Sequence, residues 1–274
     1  MFLRHAYSFY QPLHPVLHDT QSQRDARGLA IDRVGVKNLR FPMRILDRDH
    51  AEQSTVATVS LAVDLPHHYK GTHMSRFVEV LHSHGHSLTV ADMARMPREL
   101  MKRLNAEKAH AEFRFPYFRA KKAPATGAEG LMDYGVIFEV NAEGKKIDFV
   151  VTVEVPVTTL CPCSKAISAR GAHNQRGVVT FAVRFRKPVW IEDLIELVEA
   201  SASAELYSLL KRPDEKFVTE QAYDKPVFVE DLVRNVAVRA KKHKQIRWFR
   251  VEAENFESIH NHNAYAVIES GKVK

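Results

Sequence analysis

Val59, Leu61, Val63 and Leu65 alternate with small or polar residues along Ser54–Leu65 (STVATVSLAVDL). A period of two puts these side chains on one face of a strand, and that face needs a covering layer. The same alternation returns in His110–Phe118, Asp133–Val140, Lys146–Val157, Gly177–Phe185 and Gln245–Glu252, and at about Asn263–Ile268. Ile31–Arg40 is a short strand ahead of them, and Lys121–Gly130 (KKAPATGAEG) is a turn-rich loop. Two helical stretches interrupt each set of strands. The first opens at Gly71-Thr72, with Thr72 as N-cap and Met74, Phe77, Val78 and Leu81 on one stripe. The second spans about Leu88–Leu104, with Thr89 and Asp92 placed as a capping pair and Pro97 expected to kink or split it. Later, Trp190–Leu210 carries Ile191, Leu194, Ile195 and Val198 on one stripe, and Pro226–Lys241 buries Val229, Leu232, Val233 and Val236.

Each half therefore runs strand, strand, helix, helix, strand, strand: a duplication of architecture without detectable sequence repeat. Residues 1–30 are a polar arm, 31–145 a first module and 146–274 a second. Antiparallel sheets with helices on one face make an α+β fold. Such sheets leave open edges, and joining them into a larger barrel removes those edges, which argues for an oligomer.

Composition narrows the class. The 45% hydrophobic and 27% charged residues are those of a soluble globular chain. No apolar run approaches the roughly 20 residues of a membrane helix, and MFLRHAYSFYQPLHP lacks the features of a signal peptide. Two cysteines in 274 residues do not form a disulfide framework, and free thiols suit the cytoplasm. The net charge of +7 favours anionic partners. Its densest run, Arg239–Lys244 (RAKKHK), ends a helix, where cations complement the dipole and stay solvated.

Both cysteines lie in one stretch, Thr158–Arg176 (TTLCPCSKAISARGAHNQR), which Pro162 and Gly171 mark as a loop. Cys161, Cys163 and His173 offer soft and borderline metal donors there, against the alternative of small buried cysteines and a hydrogen-bonded core histidine. Three donors at most suit an open catalytic site better than a closed structural one. Glu215, in Arg212-Pro-Asp-Glu-Lys216, is a further donor or an exposed loop acid. Glu230 lies in the first turn of a helix where Asp231 can complement the dipole equally well, leaving Glu230 to pair with a guanidine-like edge. His260 and His262 sit between two strands, where an imidazole can shuttle protons. The cluster His82, His84 and His86 alternates, but Gly85 and the flanking helices argue against a metal-binding strand there.

Cys161-Pro-Cys-Ser-Lys165 with Gly171-Ala-His-Asn-Gln-Arg176 resembles the signature of the prokaryotic GTP cyclohydrolases of type IB. So do Gly71-Thr-His-Met-Ser-Arg-Phe77, Phe228-Val-Glu-Asp-Leu-Val-Arg234 and Glu257–Asn263, in order from about Asp32 to Ile268. The resemblance implies the tunnelling fold, with two modules per chain, a homotetramer and active sites where subunits meet. It implies conversion of GTP and water to 7,8-dihydroneopterin triphosphate and formate, the entry step to folate. It further implies a divalent metal (Mn²⁺, Zn²⁺ or Fe²⁺) held by Cys161, His173 and Glu215. Cys163 and His260 would sit beside the reacting carbon, His260 transferring the proton. Glu230 would anchor guanine through its amino and ring N–H groups, and Lys165, Arg176 and Arg76 would meet the triphosphate. Two other readings are an archaeal-type cyclohydrolase that forms a cyclic phosphate, and a basic nucleic-acid-binding module with a structural metal. The first is told apart by its product, the second by salt-dependent binding that survives Cys161→Ala.

Overall fold

The computed structural model describes residues 19–271. Most of the N-terminal arm lies outside them, Phe2, Tyr7, Phe9 and Tyr10 included. Its described part runs along the turn after the second strand, where Gly71 and Lys70 donate backbone N–H groups to Gln21 and Gln23.

The strands are β1 (Ile31–Asp47), β2 (Ala51–Leu65), β3 (Lys108–Lys122), β4 (Glu129–Glu143), β5 (Lys146–Leu160), β6 (Asn174–Phe185), β7 (Ala204–Glu205), β8 (Ile246–Asn255) and β9 (Ala264–Glu269). They form a single antiparallel sheet in the order β1-β2-β3-β4-β5-β6-β8-β9, with the short β7 beside β5. The helices are α1 (Met74–Ser83), α2 (Val90–Leu104), α3 (Pro162–Ile167), α4 (Ile191–Glu199), α5 (Arg212–Asp224) and α6 (Val229–Lys242). The chain is thus α+β, and β4 pairing with β5 joins the strands of both halves into one sheet.

Alternation explains which face is covered. Val59 and Leu61 of β2, Phe113 and Phe115 of β3, Val136 of β4, Val153 and Val155 of β5, Phe181 of β6 and Val251 of β8 belong to one buried cluster. Phe77 of α1, Met93 and Met96 of α2, Leu194 and Ile195 of α4, and Leu232 and Val236 of α6 complete it. Each such side chain, fully buried, contributes about 1.5–3 kcal/mol. Polar links also pin α4 to the sheet. The Tyr117 hydroxyl donates to Glu192 at 2.6 Å, the Tyr134 hydroxyl to Glu199 at 2.8 Å, and Lys121 Nζ reaches Glu199 at 2.7 Å. Burial pushes the Glu199 carboxyl above the usual range, and the Lys121 ammonium opposes that shift.

Several element boundaries differ from the sequence reading, each for a local reason. The first helix begins at Met74 with His73 as N-cap, because the Thr72 carbonyl is engaged by the Gln21 side chain. Thr89 and Asp92 form the expected capping box, but the helix continues through Pro97, which is buried inside it. The helix read over Trp190–Leu210 stops at Glu199. Beyond it the Ser201 hydroxyl donates back to Leu197 and Ser203 accepts the N–H of Leu160, so the serines compete with helical bonding. Arg212-Pro-Asp opens a helix rather than a loop, Asp214 receiving the Lys211 N–H in the first turn. The cysteine loop likewise holds one short helix, α3, with Pro162 in its first turn. The last helix starts at Val229, where Asp231 accepts the N–H of Phe228.

Candidate functional site

A cavity of about 280 Å³ opens where the ends of β5 and β8, the start of β6 and the first turn of α6 meet. Its walls include Cys161, His173, Gln175, Glu230, Asn255, Glu257, His260 and His262. A larger hollow of about 520 Å³ lies against β2, β3 and β4, lined by Asp64, Lys108 and His110. There the side chains satisfy one another, Lys108 with Glu143 at 2.9 Å and His110 with Asn141 at 2.7 Å. The smaller cavity therefore carries the candidate chemistry.

The β5–β6 ladder brings Cys161 and His173 together. Leu160 pairs with Asn174, and the Cys161 N–H donates to the His173 carbonyl at 3.1 Å. Gly171, at φ +97°, permits the turn that returns the chain to β6. Ser164 ties the two sides. Its N–H points at Cys161 Sγ (3.4 Å), its hydroxyl donates to the Cys161 carbonyl (3.2 Å), and its oxygen accepts the His173 N–H (3.2 Å). The His173 side chain is held in turn, with Nδ1 lying 3.0 Å from Gln175 Oε1 and 3.4 Å from the Ser258 hydroxyl.

The other walls are docked by backbone hydrogen bonds. The Val227 N–H reaches the Leu160 carbonyl at 3.0 Å and sets the first turn of α6 beside Cys161. Asp231 takes the capping role and pairs with Arg234 at 3.3 Å. Glu230 is exposed and faces the cavity, making no hydrogen bond or ion pair among the described residues. On the far side the Phe256 N–H donates to the Arg176 carbonyl at 2.9 Å, which places the β8–β9 loop. His260 lies edge-on to His173 with ring centroids 6.5 Å apart, and stacks on His262 at 5.2 Å.

One chain thus gathers Cys161, His173, Glu230 and His260, and leaves the other expected residues outside. Cys163 is exposed on α3 and does not line the cavity. Lys165 turns to α5, where Nζ bonds the Tyr223 carbonyl and sits 4.1 Å above the Tyr223 ring. Arg176 projects from the opposite side of β6 to Gln175. Arg76 belongs to α1 and reaches the Arg103 carbonyl at 3.4 Å. Glu215 is exposed in the first turn of α5, away from the cavity walls. Among the described residues no three His, Cys, Asp or Glu side chains converge closely enough to hold a metal ion. The pair Cys161 and His173 nevertheless fits a borderline divalent cation as two of its donors: a sulfur, and an imidazole whose Nε2 is left open by the contacts at Nδ1. The alternating histidines do not converge, since His82 packs edge-on against Phe41 and His84 Nε2 lies 3.0 Å from Glu99.

Two wall residues escaped the sequence reading. Gln175 is buried two positions after His173. Asn255 is 2% exposed, lines the cavity, and has no hydrogen-bond partner at Oδ1. It sits opposite Gly177, where a Cβ would come within 2.5 Å of that oxygen. Asn255 follows Val251 and Ala253 on the inward face, and a polar residue in such a series is the signal that marks it.

Residues 17–266 match the family model described as type I GTP cyclohydrolase folE2. The chain is 66% identical over 256 residues to GTP cyclohydrolase FolE2 of Akkermansia muciniphila, covering 92% of this chain and 97% of that one. It is 56% identical over 256 residues to GTP cyclohydrolase FolE2 of Nitrosococcus oceani, covering 93% and 96%. In three dimensions it is similar to urate oxidase from Bacillus sp. TB-90, with TM-score 0.53 and 8% identity over 88% of this chain and 100% of that one. Urate oxidase from Bacillus subtilis 168 superposes with TM-score 0.50 and 8% identity over 87% and 98%. At such identity the structural likeness speaks for a shared fold alone, whereas the sequence matches span nearly the whole chain, and the chain belongs to the type I GTP cyclohydrolase family, FolE2.

Proposed function

We propose that this protein is a metal-dependent GTP cyclohydrolase that converts GTP and water to 7,8-dihydroneopterin triphosphate and formate, supplying folate synthesis. The observation that carries this is the placement of Cys161, His173, Glu230 and His260 around one cavity by segments far apart in the chain. In this reading Cys161 and His173 hold a divalent cation (Mn²⁺, Zn²⁺ or Fe²⁺), with Glu215 as a third donor. The cation supplies a Lewis acid that activates water. Glu230, a carboxylate at a helix N-terminus with Asp231 doing the capping, accepts two N–H groups of guanine and fixes the base. His260, edge-on to His173, moves the proton at the reacting carbon. Cys163 lies near that carbon, and Lys165, Arg176 and Arg76 meet the triphosphate.

Because Glu215, Cys163, Arg76 and Arg176 lie outside the cavity of one chain, the complete site draws on a neighbouring copy. Among the described residues β1 and β9 end the strand order, the outer side of β1 meeting only a single bridge from Met43 to Leu88, and edges of this kind close when copies join. We infer a homotetramer of the tunnelling fold, two modules per chain (31–145 and 146–274), acting in the cytoplasm. Among the described residues no helix is long and apolar enough to cross a membrane.

The test is a product assay. Chelator-treated protein is incubated with GTP, with and without Mn²⁺ or Zn²⁺. Formate and, after oxidation, a fluorescent pterin triphosphate are expected only with metal. A cyclic phosphate product would move the protein to the archaeal-type reaction, and absence of formate with every metal would overturn the proposal.

A further inference from the structure

His173 has one nitrogen turned into the protein and one left for the cavity. Its backbone is fixed at both ends, the N–H on Ser164 Oγ at 3.2 Å and the carbonyl accepting the Cys161 N–H at 3.1 Å. What those contacts leave open is the rotation of the ring and the choice of protonated nitrogen. Gln175 addresses both. Its Oε1 lies 3.0 Å from His173 Nδ1, and its Nε2 donates to Thr159 Oγ1 at 3.0 Å. Thr159 faces Gln175 directly across the β5–β6 ladder. Gln175 is 8% exposed and Thr159 0%, so water does not compete for the amide. An amide oxygen only accepts hydrogen bonds, so its partner nitrogen must carry the proton. The Ser258 hydroxyl, 3.4 Å from the same nitrogen, can accept as well.

We propose that Gln175 is a positioning residue that locks His173 as the Nδ1–H tautomer and turns the Nε2 lone pair into the cavity. A neutral imidazole binds a metal through the nitrogen that lacks the proton, and an acceptor behind the ring raises its basicity. Losing such a partner typically weakens metal binding about 10–100-fold. The consequence for metal rests on the reading of Cys161 and His173 as donors, whereas the tautomer stands independently of it.

The experiment uses the full chain, stripped of metal and labelled with ¹⁵N-histidine, with His173→Ala to assign the ring signal. Two-bond proton–nitrogen correlations should show His173 protonated at Nδ1, and Gln175→Leu should give a mixture of tautomers. Zn²⁺ affinity, measured by chelator competition without GTP, should fall about 10–100-fold in Gln175→Leu. Gln175→Asn, whose oxygen is drawn back from Nδ1, should fall with it. Gln175→Glu should stay within a few-fold of wild type, because a carboxylate still accepts from Nδ1–H while the Thr159 hydroxyl donates to its other oxygen. Protonation at Nε2 in the wild type would overturn the proposal, as would wild-type Zn²⁺ affinity in both Gln175→Leu and Gln175→Asn. Should Gln175→Leu fail to fold, the Asn and Glu variants decide by themselves. If Cys161→Ala binds Zn²⁺ as wild type does, the metal reading fails separately and the tautomer measurement still judges Gln175.

Discussion

Thr126 and Asp214 are joined twice. The Thr126 N–H donates to Asp214 Oδ1 at 2.8 Å and its hydroxyl to Oδ2 at 2.7 Å. With the Ala125 N–H also on Oδ1 at 2.8 Å, the β3–β4 loop grips the first turn of α5, next to Glu215.

That grip sets a pH dependence. Burial pushes the Asp214 carboxyl up, but the Thr126 hydroxyl and the N–H groups of Lys211, Thr126 and Ala125 outweigh it and hold the pKa at about 2. An unfolded aspartate titrates near 3.9. The stability it contributes is therefore present above about pH 4 and is lost as pH falls through about 2. Asp214→Asn should lower the urea midpoint at neutral pH and flatten its decline between about pH 4 and 2. Matching acid limbs in the two proteins would show that Asp214 does not set this dependence.

Cys161→Ala should lower Zn²⁺ affinity by on the order of 100-fold or more and abolish formate release, since it removes a charged donor. Metal content after dialysis checks the first expectation. If Glu215 serves a site shared between copies, Glu215→Ala should lose metal in the same way. Assemblies formed from equal amounts of the two variants should then recover activity in about one site in four, because each site takes one of these residues from each copy. Mixtures as inactive as either variant would place Glu215 outside a shared site.

Glu230→Gln should weaken GTP binding about 10–100-fold, the worth of one charge-assisted pair. Metal content should not change. Calorimetric titration of GTP into metal-free protein, alongside elemental analysis, separates the two. A variant that also loses its metal would make Glu230 a metal donor.

Gly177→Ala places a Cβ 2.5 Å from Asn255 Oδ1 and 3.0 Å from the Glu254 carbonyl. The amide must move and the β6–β8 spacing must widen, at a cost of about 1–3 kcal/mol. A fall of several degrees in Tm is expected, together with a raised KM for GTP because Asn255 forms part of the cavity wall. A Tm and KM equal to wild type would show that the wall yields freely.

The fold was largely legible because one signal, alternation, recurs in every long strand, and Thr89 with Asp92 announced a helix start that is present. The start of α5 was not, because Pro213 and Asp214 suit a loop and a helix N-terminus alike. At the site, Cys161 and His173 could be paired from sequence, as they flank a loop between adjacent strands. Lys165 could not be placed: only the folded chain shows its ammonium engaged by Tyr223, a residue far along the sequence. Gln175 carries no charge and belongs to β6, so nothing in its local sequence distinguishes a cavity wall from an ordinary interior position, whereas Asn255 is marked only as the polar residue that follows Val251 and Ala253 on the inward face of β8.

The strand order has a kinetic consequence. Most long strands pair with the next one along the chain, so much of the sheet can zip from short turns. The β6–β8 pair is an exception, since about sixty residues separate Phe185 from Ile246, and bringing those ends together carries the larger entropic cost of a long loop. Cys161 and His173 precede that closure, Glu230 arrives within the excursion, and Asn255 and His260 come after it. The cavity is therefore among the last parts of the molecule to assemble, and a chain stalled before β8 docks would hold most of its sheet and none of its completed site.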